Sequence, residues 1–162
     1  MKARSCLSLL LLSFSCCLLG NACRAEEKPT QEKRNQEKPG EEKILGAWEV
    51  SDVLCSGCEG RTPSEKGTII NFEKNRIANP LYESCAAKAG YDFIRETPAG
   101  KVIAERGQDW PEPVKSKLVA GGNILYGFAT CDGMNFMQLA FLPDNTAFYF
   151  YEGGIVLQMQ RH

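Results

Sequence analysis

The sequence predicts an all-β, mainly antiparallel domain: a small up-and-down β-barrel of about eight strands with one short helix. Three observations carry this. Short stretches from Ile44 onward alternate apolar and polar residues, as in Thr68–Glu73, where Ile70 and Phe72 face one way and Asn71 and Glu73 the other. Turn chemistry separates these stretches: Thr97-Pro98-Ala99-Gly100, Gly121-Gly122, Asp132-Gly133, Pro143-Asp144-Asn145 and Gly153-Gly154. Residues 44–162 suffice for one hydrophobic core and are too few for two, and closure into a barrel removes exposed edge strands.

Taken in order, residues 1–25 read as a secretory signal peptide. Lys2 and Arg4 form a positive start, Leu7–Leu19 an apolar stretch, and small residues allow cleavage after Ala22 or Ala25. The apolar run is too short for the roughly 20 residues of a membrane span. Residues 26–43 are a charged linker in which Gln-Glu-Lys recurs at positions 31–33 and 36–38, with Pro29, Pro39 and Gly40 as helix breakers. No residue there can bury a large apolar side chain, so nothing offsets the ordering entropy and disorder is expected.

The folded domain, residues 44–162, opens with a strand at 44–50 that places Trp48 and Val50 on one face. Further strands are expected at Thr68–Glu73, Tyr91–Glu96, Lys101–Arg106, Asn123–Thr130, Met134–Leu142, Thr146–Tyr151 and Ile155–Arg161. The tight turns joining the last four make an antiparallel meander. The helix is expected around Leu81–Ala89, and Gly107–Lys117, with its Trp-Pro-Glu-Pro, as a loop.

Two resemblances bear on place and function. Leu18-Leu19-Gly20-Asn21-Ala22-Cys23 loosely resembles the lipobox of bacterial lipoproteins, with Gly20 where Leu is usual, which makes Cys23 a candidate lipidation site. Gly46-Ala47-Trp48 looks like the Gly-x-Trp signature of lipocalin-like (calycin) barrels. That resemblance implies that a basic residue near the end of the last strand packs across the Trp and closes the barrel floor. Arg161 stands at that place, on the same face as Ile155, Leu157 and Met159.

Outside the leader the cysteines are Cys55, Cys58, Cys85 and Cys131. Cys55-Ser56-Gly57-Cys58 is not a haem attachment motif, because Glu59 replaces the required histidine. Gly60, Arg61 and Pro63 make it a loop rather than the helix N-terminus that a redox pair needs, and Cys85 and Cys131 supply no second close pair for zinc. An even number of cysteines in an exported domain predicts two disulfides. A Cys55–Cys58 ring would remove little chain entropy, so the expectation is that each bonds to Cys85 or Cys131.

Composition excludes several functions. The formal charge is −1, and removing Lys2, Arg4 and Arg24 brings it near −4, which leaves no footprint for nucleic acid. One histidine, His162, excludes a histidine triad in the core and a multi-histidine metal site. Ser84 lacks a base, and the acids are scattered without paired spacing, so no catalytic residue, metal or cofactor is expected. Tyr149 and Tyr151, with Tyr126, are a candidate exposed aromatic patch. The function expected is that of an exported, non-enzymatic envelope protein, periplasmic or extracellular, that binds a small apolar ligand or lipid. The alternatives are a protein-binding module, such as an inhibitor of a secreted hydrolase, and a thiol–disulfide exchanger using Cys55 and Cys58. Membrane contact is expected only through a lipid on Cys23.

Overall fold

The structure is a computed structural model that describes residues 40–55 and 64–162. The signal peptide, nearly all of the linker, Cys23 and Cys58 lie outside the described residues.

Among the described residues nine strands form one antiparallel sheet: β1 (Gly46–Leu54), β2 (Ile69–Glu73), β3 (Arg76–Ala78), β4 (Ala89–Gly90), β5 (Arg95–Pro98), β6 (Asn123–Cys131), β7 (Met134–Phe141), β8 (Thr146–Phe150) and β9 (Val156–Arg161). Eight follow the order β3-β2-β1-β9-β8-β7-β6-β4, and β5 also pairs with β6. First and last strands are therefore neighbours, Val50 opposite Met159, and the sheet curls into a nearly closed barrel. The expected meander is present: β6–β7, β7–β8 and β8–β9 are consecutive antiparallel pairs.

The chain between β3 and β5 crosses the remaining seam. Ile77 and Cys85 exchange both backbone hydrogen bonds at 2.9 Å, and Ala89 N–H donates to the Asn75 carbonyl at 3.0 Å. Ala89 and Gly90 then pair with Cys131 and Thr130 of β6. Leu81–Ala89, expected as a helix, is thus an irregular crossing that ends in β4, because its backbone groups are used across the seam. Residues 91–94 form a turn closed by Ile94 N–H to the Tyr91 carbonyl, so the expected strand Tyr91–Glu96 shifts to β5.

Among the described residues three α-helices and a 3-10 turn at Glu152–Gly154 are present where one helix was expected. Gly40 precedes a short turn, α1 (Glu41–Ile44), which orders the last residues assigned to the linker. Lys101–Arg106, expected as a strand, lies in α2 (Ala99–Arg106), and the second half of the expected loop Gly107–Lys117 belongs to α3 (Glu112–Gly121). Buried Ala99, Val102 and partly buried Ile103 are spaced for one helical face, as are Val114 and Leu118. Prolines flank both starts: Pro98 and Pro111 occupy the N-cap positions, and Pro113 the first turn of α3.

Two cores result. The barrel interior holds Trp48, Val50, Ile70, Phe72, Ile77, Met137, Leu139, Phe141, Leu157 and Met159. Helices α2 and α3 cover the outside of the sheet, over Ile124, Ala140, Leu142, Phe148, Phe150 and Val156. Strand β8 is buried on both faces, with Ala147 and Tyr149 in the first core and Phe148 and Phe150 in the second.

Candidate functional site

The floor of the barrel is built around β1 and the end of β9. Trp48 is opposite Arg161, and the guanidinium carbon sits 5.5 Å from the centre of the indole. Arg161 Nη2 donates to the Leu45 and Glu42 carbonyls at 2.5 and 3.0 Å, and Trp48 Nε1 donates to the Ile44 carbonyl at 2.9 Å. Gly46 has φ +128°, and a Cβ there would lie 3.4 Å from Arg161 Nη2. A side chain at that position would strain the backbone and crowd the guanidinium. The three residues picked from the sequence, Gly46, Trp48 and Arg161, therefore meet at one end of the barrel, and they hold α1 across it.

Above this floor the interior is filled with edge-to-face aromatics. Trp48 and Phe72 both pack against Phe141, at centroid distances of 5.2 and 6.0 Å, and Phe72 packs against Tyr91 at 6.4 Å. Tyr91 donates its hydroxyl to the Glu73 carbonyl at 2.8 Å. Burial, with the Glu41 and Glu73 carboxylates adding to it, pushes this phenol well above the ordinary tyrosine value.

The other end is where β1 leaves, where β6 turns into β7 and where β8 turns into β9. Partly buried Val53, Leu81, Tyr82, Phe136, Tyr151 and Ile155 pack onto the core as an apolar rim there. Tyr82 stacks on Tyr151 at 3.8 Å, nearly parallel, and meets Tyr149 edge-on at 6.1 Å. Burial raises the Tyr82 phenol, and Glu65 and Tyr151 raise it further. The aromatic patch expected on an open face is corrected by this arrangement. Tyr149 is 5 % exposed inside the barrel, because β8 is covered on both faces. Tyr151 belongs to the rim, whereas Tyr126 lies in the outer core with Trp110 and Phe150 and accepts a hydrogen bond from Gln138 Nε2. The three tyrosines form no single surface.

The disulfide expectation is also corrected. Cys85 is bonded to Cys131, with 5.7 Å between their Cα atoms, so neither is free to join Cys55 or Cys58. Cys55 is disulfide-bonded, and its partner lies outside the described residues. Loop-closure entropy ranks connectivities by the unfolded chain, but native proximity chooses among them. The Ile77–Cys85 bridge and the Ala89–Cys131 register place these two side by side.

Open clefts are present among the described residues. One, of about 360 Å³, lies beside α1 and is lined by Gly40, Glu42, Lys43, Leu125, Phe141 and Pro143 among others, with Phe141 belonging to the barrel core. Another, of about 550 Å³, lies beside Gln108, Asp109, Trp110, Gly153 and Gly154. Among the described residues no three His, Cys, Asp or Glu side chains cluster to hold a metal, and no helix is long and apolar enough to cross a membrane. The rim residues Tyr82 and Phe136 were not legible as a group in the sequence. Only the Asn79-Pro80 turn dipeptide hints that the chain bends there rather than entering a helix. Comparison with protein-family models, curated proteins and solved structures finds no match.

Proposed function

We propose that the chain is an exported, non-enzymatic binding protein with a lipocalin-like barrel, which takes a small apolar ligand at its rimmed end. The observation that carries this reading is the contrast between the two ends. One is sealed by Arg161 over Trp48, and the other presents half-buried Val53, Tyr82, Phe136, Tyr151 and Ile155. The disulfide supports an oxidising compartment outside the cytosol, either periplasm or extracellular space. A lipid on Cys23 would tether the domain to an envelope membrane through its charged linker.

The tightly packed lower interior favours a second reading, in which the rim and its loops bind a partner protein. Native mass spectrometry of protein purified from its own envelope separates the two. A small-molecule adduct displaced by Tyr151→Asp supports the first, and a stoichiometric co-purifying protein supports the second. Neither adduct nor partner, with turnover of an ester or glycan by the pure domain, would overturn both.

A further inference from the structure

On the segment that leaves β3 for the rimmed end one polar group stands out. Asn79 is 3 % exposed, and its Nδ2 finds no acceptor among the described residues. Its orientation is set by the backbone. Asn79 Oδ1 accepts from Leu81 N–H at 3.2 Å, while Ser84 Oγ accepts from Asn79 N–H at 2.9 Å and donates to the Asn79 carbonyl at 3.1 Å. An amide flip would set NH₂ against the Leu81 N–H, so the unpaired donor is fixed as the nitrogen. An unmatched buried N–H₂ is costly wherever a protein has no use for it.

The surroundings say what could match it. Asn79 lies two residues beyond Ile77, which is fully buried in the barrel interior, and three before Tyr82, which stacks on Tyr151 at the rim. The chain between them is held at its far side by the Cys85–Cys131 bond. Tyr82 thus sits on a short strap fixed at both ends, with its ring laid over Tyr149 and Tyr151. The volume its ring gives up on swinging out is about that of one aromatic ring or a short acyl chain.

We propose that Asn79 Nδ2 is the polar anchor of the ligand site, and that the ligand is a small apolar molecule with one carbonyl or carboxylate oxygen. Tyr82 is the lid over it. This rests on the reading of the chain as a binding barrel. The apolar body replaces the Tyr82 ring against Tyr149 and Tyr151, and the oxygen accepts from Asn79.

The test uses acetophenone and ethylbenzene, which share ring and size and differ in the carbonyl. Both are titrated into the exported protein while the side-chain amide resonances of Asn79 are followed by NMR. The expected result is binding of acetophenone at least tenfold tighter than ethylbenzene, with the Asn79 NH₂ shifting only for the ketone. Asn79→Asp keeps the acceptor for Leu81 N–H and removes the donor, so it should abolish the preference while the backbone spectrum is retained. Tyr82→Ala should strengthen both probes by removing the lid. Equal binding of the two probes with a still Asn79 amide overturns the anchor and leaves the binding reading standing. Binding of neither probe, in the parent and in Tyr82→Ala, overturns both.

Discussion

Cys85 and Cys131 join the two edges of the sheet. Cys85 is hydrogen-bonded to Ile77 on the β3 edge, and Cys131 belongs to β6, directly beside its pairing with β4 on the opposite edge. The bond therefore closes the barrel where backbone pairing alone is thin, since β3 and β4 have only three and two residues. It spans 46 residues of chain, for which loop-closure entropy gives about 4 kcal/mol. Replacing both residues by alanine should lower stability in urea by about that amount, and the seam residues 79–90 should lose protection first in hydrogen exchange. The strand signal in circular dichroism should persist, because β6–β9 and β1–β2 do not depend on the bond.

Arg161 carries the opposite end. Its guanidinium lies over Trp48 and holds two carbonyls of the α1 region, so Arg161→Met would keep much of the packing while leaving those carbonyls unpaired. A loss of about 1–3 kcal/mol is expected, with fraying of residues 41–45. In a Trp110→Phe background Trp48 is the only tryptophan, and its emission should shift to the red in the variant. Unchanged emission and stability would remove the floor role from Arg161.

Alkaline titration should destabilise the domain. The phenols of Tyr91, Tyr82 and Tyr126 are raised in the folded state, chiefly by burial; at Tyr126 the Gln138 hydrogen bond and Arg106 work against it. A raised folded value means that the unfolded chain releases its protons first. The contribution is intact below about pH 10, the ordinary tyrosine value, and is lost as pH climbs from there through the folded values. Urea midpoints measured from pH 8 to 11 should fall most steeply above 10. Tyr91→Phe should be about 1 kcal/mol less stable at pH 8, through loss of the bond to the Glu73 carbonyl, and should show a shallower alkaline slope.

The barrel and its floor were legible because their signals are local or periodic. Gly46, Trp48 and Arg161 sit at set positions on alternating strands, and the turns between β6 and β9 are written in Asp, Asn and Gly. Lys101–Arg106 misled because charged residues around Val102 and Ile103 fit alternation as well as they fit a helical face. Only the outer surface of β8 and β9, which needs a cover, decides for the helix. The cysteine pairing and the orphaned Asn79 depend on which segments cross the seam, and no local pattern records that.

Gly127 tests how the broken edge of β6 is made. β4 pairs with residues 130–131 and β5 with 123–126, and between them the turn at 91–94 presses its backbone onto Gly127. A Cβ at Gly127 would lie 1.9 Å from the Phe93 carbonyl oxygen, and its φ of +156° is itself unfavourable for a side chain. The colliding atom is backbone, so it cannot move aside without unpairing β5 or β4. Gly127→Ala should cost roughly 3 kcal/mol or more, placing it among the most damaging single substitutions in the domain. Gly133 supplies the control. It has φ +79°, but no atom lies within 4 Å of its would-be Cβ, so Gly133→Ala carries only the conformational cost of about 1 kcal/mol. Urea unfolding of the two variants should differ by at least 2 kcal/mol. In Gly127→Ala the amides of Arg95–Pro98 should exchange faster than those of β8. Equal stability of the pair would mean that the 91–94 turn is not pressed onto β6 in solution.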